Sequence, residues 1–319
     1  MTLSRRIGAG VAALALAAAL PAAHAAAPLA KGQAPGYYRM MLGDFEVTAL
    51  SDGTVNLEVE KLLTRTTPAQ TRRALARSFL KDPVETSVNA YLINTGAKLV
   101  MIDAGAGNLF GPTLGGLVAS LKAAGYQPEQ VDEIYITHMH ADHVGGLAAD
   151  GKPAFPNAVV RADRHDADYW LSPRTLEKAS KDEKGFVEGA MASLNPYVDA
   201  GKFKAFDGTT ALAPGITGVA AHGHTPGHAI YVVESRGDKL VLWGDLMHVA
   251  AVQFADPGVT IQFDTDSKAA AVQRKKAFAD AAKGGYWVAG AHLPFPGVGH
   301  LRAEGSGYAF VPANYSVPR

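Results

Sequence analysis

Short apolar runs, separated by glycine-rich or polar turns, recur along most of the chain and predict a fold rich in β-strands. The first of these strands covers residues 38–50 and is followed by a turn at Asp52-Gly53. Further strands are predicted over residues 87–94, 98–103, 131–137, 158–161, 218–221, 230–234, 239–243 and 286–289. They fall into two groups, one in each half of the chain.

Segments with apolar residues at helical spacing lie between these strands. Helices are predicted over residues 68–80, 114–124, 164–171 and 267–283, and residues 172–200 are interpreted as a polar, partly helical insertion. Two halves of mixed strands, each flanked by helices, favour an α/β (α+β) fold in the form of a four-layer αββα sandwich.

The first 25 residues have the composition of an export signal. Arg5 and Arg6 precede an apolar run over residues 7–20, and Ala23-His24-Ala25 is a small-x-small cleavage site. The apolar run is too short for a membrane span. The sequence therefore predicts a signal peptide over residues 1–25, a loose arm over 26–37 and a single domain over 38–319. We expect a bacterial periplasmic or secreted protein without a membrane span, with general secretory and twin-arginine export both open.

The amino-acid composition limits the metal ligands, nucleophiles and partners that this chain can have. The chain has no cysteine, so its metal ligands must come from His, Asp, Glu or water and it has no thiol nucleophile. The formal net charge is +0, and loss of the two arginines of the signal leaves −2, which argues against a nucleic-acid partner. A hydrophobic content of 48% with 19% charged residues is typical of a compact globular domain.

The densest group of chemical side chains is His138, His140, Asp142 and His143, which directly follows an apolar run. Three imidazoles and a carboxylate within six residues suit zinc or a similar first-row divalent ion. This spacing cannot aim all four side chains at one ion from a regular helix or strand. A strand end that turns into a helix can aim one pair at one metal and the other pair at a second. The motif therefore predicts a two-metal hydrolytic site.

Four further candidates lie where other apolar runs end, which is where a rigid strand presents a side chain to a cleft: Asp103, His224, Asp245 and His292. His222 competes with His224, but His224 stands in the Gly-His-Thr-Pro-Gly-His segment and is preferred. Of three other histidines, His228 is interpreted as a structural or supporting residue, and His165 and His300 as surface or core residues.

The order and spacing of these motifs resemble the metallo-β-lactamase superfamily over essentially the whole predicted mature chain. The resemblance rests on His-x-His-x-Asp-His, Gly-His-Thr-Pro-Gly-His at 223–228, Gly-Asp at 244–245 and the late His292. Within the superfamily, residues 291–297 and 110–113 resemble the branch of methyl parathion hydrolases and aryl lactonases.

The resemblance implies two metal sites and a homodimer. One ion would be held by His138, His140 and His224, and the other by Asp142, His143 and His292. Asp245 would bridge the two ions, and Asp103 and His228 would support the ligands. Zinc is the first expectation, with manganese, cobalt and iron also compatible. A bridging hydroxide would attack the substrate, with Asp142 and Asp245 as the catalytic carboxylates.

The residues expected to line the substrate pocket are bulky and mostly apolar: Leu62, Phe110, Trp170, Phe186, His248, Ile261 and Phe263. Such a pocket favours a planar aryl lactone or aryl ester, such as dihydrocoumarin, over a tetrahedral phosphotriester. One misfit group costs roughly 1–3 kcal/mol, so we predict weak phosphotriesterase activity as a side reaction.

Four alternatives stay open. The first is an organophosphate phosphotriesterase as the main activity. The second is a zinc β-lactamase, although the Asp142-His143 pair with Asp245 resembles lactonases and phosphotriesterases more. The third is an iron redox enzyme, against which the predicted export argues mildly. The fourth is a non-catalytic periplasmic metal-binding protein, which a seven-ligand set beside an apolar mouth disfavours.

Overall fold

A computed structural model describes residues 27–181 and 183–317. The predicted signal peptide, residues 1–25, lies outside the described residues. The chain divides into the units Met1–Ala34 and Pro35–Arg319. Residues 27–34 contain no helix or strand. No helix in the described part of the chain is long and apolar enough to cross a membrane.

The second unit contains eighteen strands among its described residues. They are Tyr37–Leu42 (β1), Phe45–Leu57 (β2), Leu63–Thr64 (β3), Val84–Asn94 (β4), Leu99–Ile102 (β5), Glu133–Tyr135 (β6), Ala148–Ala149 (β7), Lys152–Pro153 (β8), Val159–Asp163 (β9), Phe203–Phe206 (β10), Thr210–Ala213 (β11), Ile216–Ala220 (β12), Ala229–Ser235 (β13), Asp238–Leu242 (β14), Thr260–Ile261 (β15), Trp287–Ala289 (β16), Val298–Glu304 (β17) and Gly307–Pro312 (β18).

Nine α-helices in the same described residues connect or flank these strands. They are Val59–Leu62 (α1), Pro68–Arg77 (α2), Leu117–Ala123 (α3), Ala141–Val144 (α4), Arg164–Trp170 (α5), Pro173–Lys178 (α6), Lys184–Asp199 (α7), Ala250–Gln253 (α8) and Ser267–Gly284 (α9).

The strands form two seven-stranded mixed sheets and two short ribbons. The first sheet has the order β1-β2-β4-β5-β6-β9-β10 and the second the order β11-β12-β13-β14-β16-β17-β18. Neighbours β5, β6, β9 and β10 are parallel in the first sheet, as are β14 and β16 in the second. Each sheet therefore has a group of strands whose carboxyl ends meet at one edge.

Apolar side chains alternate between the two faces of each sheet, and those on the outer face pack against a layer of helices. Val100 and Ile102 pack with Leu240 and Leu242 in the core between the sheets. Their strand neighbour Met101 packs outward with residues of α3 and α7, and Val241 packs outward with Phe278 of α9. Successive strand residues point to opposite faces, so each sheet is covered on both sides. The predicted four-layer αββα architecture is confirmed.

The predicted strand over residues 38–50 and the predicted turn at Asp52-Gly53 are wrong in detail. The chain turns earlier, at Gly43, and β2 runs on to Leu57 with only a change of register between Ser51 and Gly53. The carboxylate of Asp52 is buried and accepts the backbone N–H groups of Ala106, Gly115 and Leu117. Asp52 therefore holds a distant loop by tertiary hydrogen bonds, and a local turn is not needed.

Candidate metal centre and its pocket

The predicted ligand side chains are delivered by strand ends from both sheets. After β6 the chain carries His138 and His140, and it then enters α4, which carries Asp142 and His143. His224 lies in the turn between β12 and β13, and Asp245 and His292 follow the parallel strands β14 and β16. The structure brings all seven side chains together.

One group of donor atoms gathers around His140. Its Nδ1 lies 3.0 Å from His138 Nε2 and 3.1 Å from His224 Nε2. Asp245 Oδ2 closes the group at 3.3 Å from His224 Nε2 and 3.6 Å from His138 Nε2. These four side chains form a nitrogen-rich group in which three imidazoles face one carboxylate oxygen.

A second group lies on the other side of Asp245. Asp142 Oδ2 is 3.6 Å from His143 Nε2 and 3.5 Å from His292 Nε2. Asp245 Oδ1 is 3.3 Å from His143 Nε2 and 3.2 Å from His292 Nε2. Asp245 Oδ2 is also 3.2 Å from His292 Nε2, so the Asp245 carboxylate lies between the two groups and is within reach of donors from both.

The residues fit two divalent metal ions. A tetrahedral zinc ion with bonds of about 2.0–2.1 Å separates its ligand atoms by about 3.3 Å, close to the distances within both groups. His143 Nε2 and Asp245 Oδ1 are buried and have no hydrogen-bond partner in the described residues. Buried polar atoms are nearly always satisfied, so these atoms point to bound cations.

Burial and mutual proximity control the protonation of the donors. Burial and the neighbouring imidazoles lower the pKa values of His138 and His140 well below the usual range. Burial alone would raise the pKa of Asp245, but the surrounding histidines lower it well below its usual value. Burial opposes a proton on His143, yet Asp245, Asp142 and Asp103 raise its pKa well above the usual value. Excess negative charge therefore attracts positive charge to this side of the centre, as cation binding requires.

Carboxylates and carbonyls behind the ligands fix the imidazole orientations. Asp103 Oδ2 lies 2.8 Å from His143 Nδ1 and also accepts the Thr137 hydroxyl. Asp264 Oδ1 lies 2.9 Å from His224 Nδ1. The backbone carbonyl of Ser87 accepts from His292 Nδ1 at 3.0 Å. Such partners set the tautomer and aim the opposite ring nitrogen at the metal.

His228 supports the backbone of a ligand instead of facing the centre. Its Nδ1 donates to the Ala221 carbonyl at 3.2 Å, and its Nε2 accepts the backbone N–H of Asp245 at 3.0 Å. One ring nitrogen donates and the other accepts, so the ring is neutral. Burial, which lowers the pKa of His228 to about 3, keeps it in that form.

Two carboxylates that hold the ligand segments are not among the site residues predicted from the sequence. Asp264 is one of them. The other is Asp166 on α5, which accepts the backbone N–H groups of Met139 and Gly227. Burial raises the pKa of Asp166 to about 6. Neither residue follows a predicted strand, so strand-end position, the signal used for the other candidates, could not find them.

A cavity of about 360 Å³ opens on the centre. Its walls combine aromatic and aliphatic side chains with polar ones, among them Glu183, Asp264 and Thr265 besides several of the donors. They include five residues of the predicted pocket, Phe110, Trp170, Phe186, His248 and Phe263, together with Val55, Leu57, Tyr169, Val187 and Gln262. Leu62 and Ile261 are not among the described lining residues. They pack instead with the apolar cluster around α1, α2 and α8.

His248 is a buried pocket residue that contacts the donor groups. Its ring is stacked on His292, with centroids 5.1 Å apart and planes 19° apart, and its Nε2 is 3.0 Å from Asp245 Oδ2. Burial lowers its pKa. His248 therefore lines the cavity directly beside Asp245 and His292.

Comparison with models of known protein families finds a match for this chain. Residues 83–283 match the family model described as the metallo-beta-lactamase superfamily. The chain belongs to the metallo-beta-lactamase superfamily. The matched region contains six of the seven candidate ligands, and only His292 lies beyond it.

Two solved structures are similar to nearly the whole chain. The hydrolase AbOPH is 38% identical, with a TM-score of 0.85, over 90% of this chain and 100% of that one. AidC, described as a dizinc quorum-quenching lactonase, is 27% identical, with a TM-score of 0.82, over 88% of this chain and 99% of AidC.

A curated relative matches a shorter region. An N-acyl homoserine lactonase from Bacillus cereus is 28% identical over 160 residues, which make up 50% of this chain and 56% of the relative. The chain thus matches about half the length of that relative.

Proposed function

We propose that this protein is a dinuclear metal-dependent hydrolase that opens a lactone ring carrying an apolar group, with aryl lactones and aryl esters as the preferred class. The observation that supports this most directly is the position of the apolar cavity against the two donor groups. A flat apolar substrate would pack against Phe110, Trp170 and Phe186, and its carbonyl would face Asp142 and Asp245.

When bound, two divalent ions, with zinc the first expectation, lower the pKa of a water molecule and withdraw electrons from the substrate carbonyl. The chain's own residues do the rest. The neutral rings of His138 and His140 would help to hold one ion, and Asp245, which lies between the two donor groups, would contribute to both sites. Asp103 and Asp264 hold two ligand rings in place.

Water adds its oxygen to the lactone carbonyl carbon, the ring C–O bond breaks, and the phenolate of an aryl lactone, or the alkoxide of an alkyl lactone, takes up a proton. Asp142 faces the cavity with a partly exposed carboxylate, so it can accept the proton from water and return it to the phenolate or alkoxide. The apolar wall excludes competing water and strengthens the electrostatic interactions near the donors.

Experiment can distinguish an N-acyl homoserine lactone from an aryl lactone as the preferred substrate. The relatives named as N-acyl homoserine lactonases support lactone opening in general. The aromatic lining favours an aryl lactone, because flat rings stack well on Trp and Phe side chains. A phosphotriester has a tetrahedral centre with bulky arms, and we expect only weak hydrolysis of such a substrate.

The test compares kcat/KM of the metal-replete protein on dihydrocoumarin, N-hexanoyl-homoserine lactone and methyl paraoxon. We expect dihydrocoumarin to exceed methyl paraoxon by about a hundredfold, the upper range for one or two misfit groups. Asp245→Asn is the inactive control and should lose metal and activity together. A preference for methyl paraoxon contradicts the lactonase proposal. Full metal binding without hydrolysis of any of the three substrates contradicts a hydrolase of these ester classes.

A further inference from the structure

A second cluster of metal-ligating side chains lies outside the centre. It consists of Asp163, the last residue of β9, His165 in the first turn of α5, and His222 in the loop that also carries His224. One donor atom from each residue lies within 4.8 Å of the others. None of the three belongs to the donor groups described above.

The geometry of this cluster resembles a ligand set more than a pair of surface contacts. Asp163 Oδ1 is 2.9 Å from His165 Nδ1, and Asp163 Oδ2 is 3.3 Å from His222 Nε2. The two rings lie 4.7 Å apart between centroids. Both imidazoles therefore turn a ring nitrogen toward the same carboxylate at distances close to the spacing of ligand atoms around a zinc ion, about 3.3 Å.

Burial makes the carboxylate expensive to leave without a positive partner. The side chain of Asp163 is 0% exposed, whereas those of His165 and His222 are 60% and 33% exposed. Asp163 Oδ1 accepts the backbone N–H of His165 at 2.8 Å, and among the ion pairs of the described residues Asp163 pairs only with these two histidines. The adjacent Arg164 directs its Nε to Asp207, at 2.8 and 3.0 Å from the two carboxylate oxygens. The nearest cation in sequence is thus engaged elsewhere, and a buried charge needs pairing.

We propose that Asp163, His165 and His222 form a third, accessory metal site for a first-row divalent transition metal, Zn²⁺ or Cu²⁺. Two imidazoles and one carboxylate are a ligand set that these ions accept, and the exposed side of His165 leaves room for water as a further ligand. The ion would tie the loop that carries His224 to α5, which carries the pocket residue Trp170.

The experiment measures metal per chain after equilibrium dialysis of the full-length holoprotein against increasing Zn²⁺. We expect wild type to bind one more Zn²⁺ per chain than His165→Ala and His222→Ala. His300→Ala is the matched control and should bind as wild type, because His300 packs on Trp287 away from the cluster. The difference in Zn²⁺ per chain between wild type and variants does not depend on how many ions the main centre holds. The result therefore tests the accessory site even if the proposed function is wrong.

Cu²⁺ added to zinc-loaded protein gives a second readout. Its electron paramagnetic resonance spectrum should show superhyperfine coupling from two imidazole nitrogens in wild type, and this signal should be absent from His165→Ala and His222→Ala. Equal Zn²⁺ content in wild type and both variants would overturn the proposal. Loss of the extra ion in His222→Ala but not in His165→Ala would also overturn it, because the ion would then depend on the loop of His224 and not on this cluster.

Discussion

At the scale of single residues, the carboxylates behind the ligands are as important as the ligands. Asp264 is fully buried, lies 2.9 Å from His224 Nδ1 and accepts the backbone N–H of Ile261. Burial alone would raise its pKa, but His224 lowers it below the usual value. An ionised Asp264 makes His224 a stronger electron-pair donor and fixes its Nε2 toward His140.

We expect Asp264→Asn to weaken metal binding by the group around His140 about 10- to 100-fold, since the amide keeps the size but loses the charge. Competition with a chelator measures this affinity. Asp280→Asn is the control, because Asp280 forms only an exposed ion pair with Lys276, at 3.6 Å, on α9. Equal metal affinity in the two variants would rule out the supporting role of Asp264.

The ion pairs of Glu133 make the stability of the fold depend on pH. This buried side chain on β6 pairs with Lys98, and with Arg161 at 2.7 Å. Burial would raise its pKa, but the two cations lower it below the usual value. A depressed folded-state pKa stabilises the protein above the unfolded pKa of about 4.3, and that stabilisation is lost as the pH falls through the lower folded value.

Glu133→Gln should therefore cost about 1–3 kcal/mol of unfolding free energy at pH 7 and progressively less below about pH 4. Urea unfolding of wild type and variant at both pH values measures the difference. Glu304→Gln removes an exposed partner of Arg302 and should cost less than about 1 kcal/mol at either pH. A cost for Glu133→Gln that does not change with pH would contradict the role of its charge.

At the scale of elements, the sequence predicted those strands and helices whose pattern is local. The predicted helix over residues 267–283 is observed as Ser267–Gly284, and the strand over 230–234 as Ala229–Ser235. The long helix in residues 172–200 was harder to predict from the sequence, because α7 contains Pro196 and yet buries Val187 and Leu194 in the core. Its stability comes from tertiary packing, which a polar local pattern does not reveal.

Glycines at the strand ends place the ligands, and Gly244 gives the sharpest test. Its φ is +53°, and a Cβ added there would lie 2.8 Å from both Thr137 Cβ and His228 Nε2. Gly237, at the other end of β14, has φ +91° but no atom within 4 Å of an added Cβ. An alanine at either position would have a strained backbone. Only at Gly244 would its Cβ also clash with other atoms, next to Asp245.

We expect Gly237→Ala to cost about 1–2 kcal/mol from backbone strain alone and to keep its full metal content. Gly244→Ala should cost more and also bind less metal, because relief of the clash moves Asp245. Thermal unfolding and metal analysis of the two variants measure both effects. Equal stability and equal metal content would show that the crowding around Gly244 does not position the ligand.

At the scale of the whole molecule, the candidate centre joins the two sheets. The ligands from residue 138 to 143 follow β6 of the first sheet, whereas His224, Asp245 and His292 follow strands of the second. The strand-end pattern and the family resemblance predicted this fold and ligand order. The methyl parathion hydrolase branch and the homodimer remain predictions, because single-chain motifs carry no information about a partner surface.

Because bound ions would cross-link the sheets, their removal should destabilise the entire fold. A ligand present at about a thousand times its Kd stabilises the native state by about 4 kcal/mol. Two such ions correspond to a fall in Tm of about 10 °C or more when a chelator removes them. Calorimetry before chelation, after it and after return of Zn²⁺ measures this change. In Asp245→Asn the chelator should have a much smaller effect, since the shared carboxylate is lost. An unchanged Tm after removal verified by metal analysis would show that the ions do not hold the two sheets together.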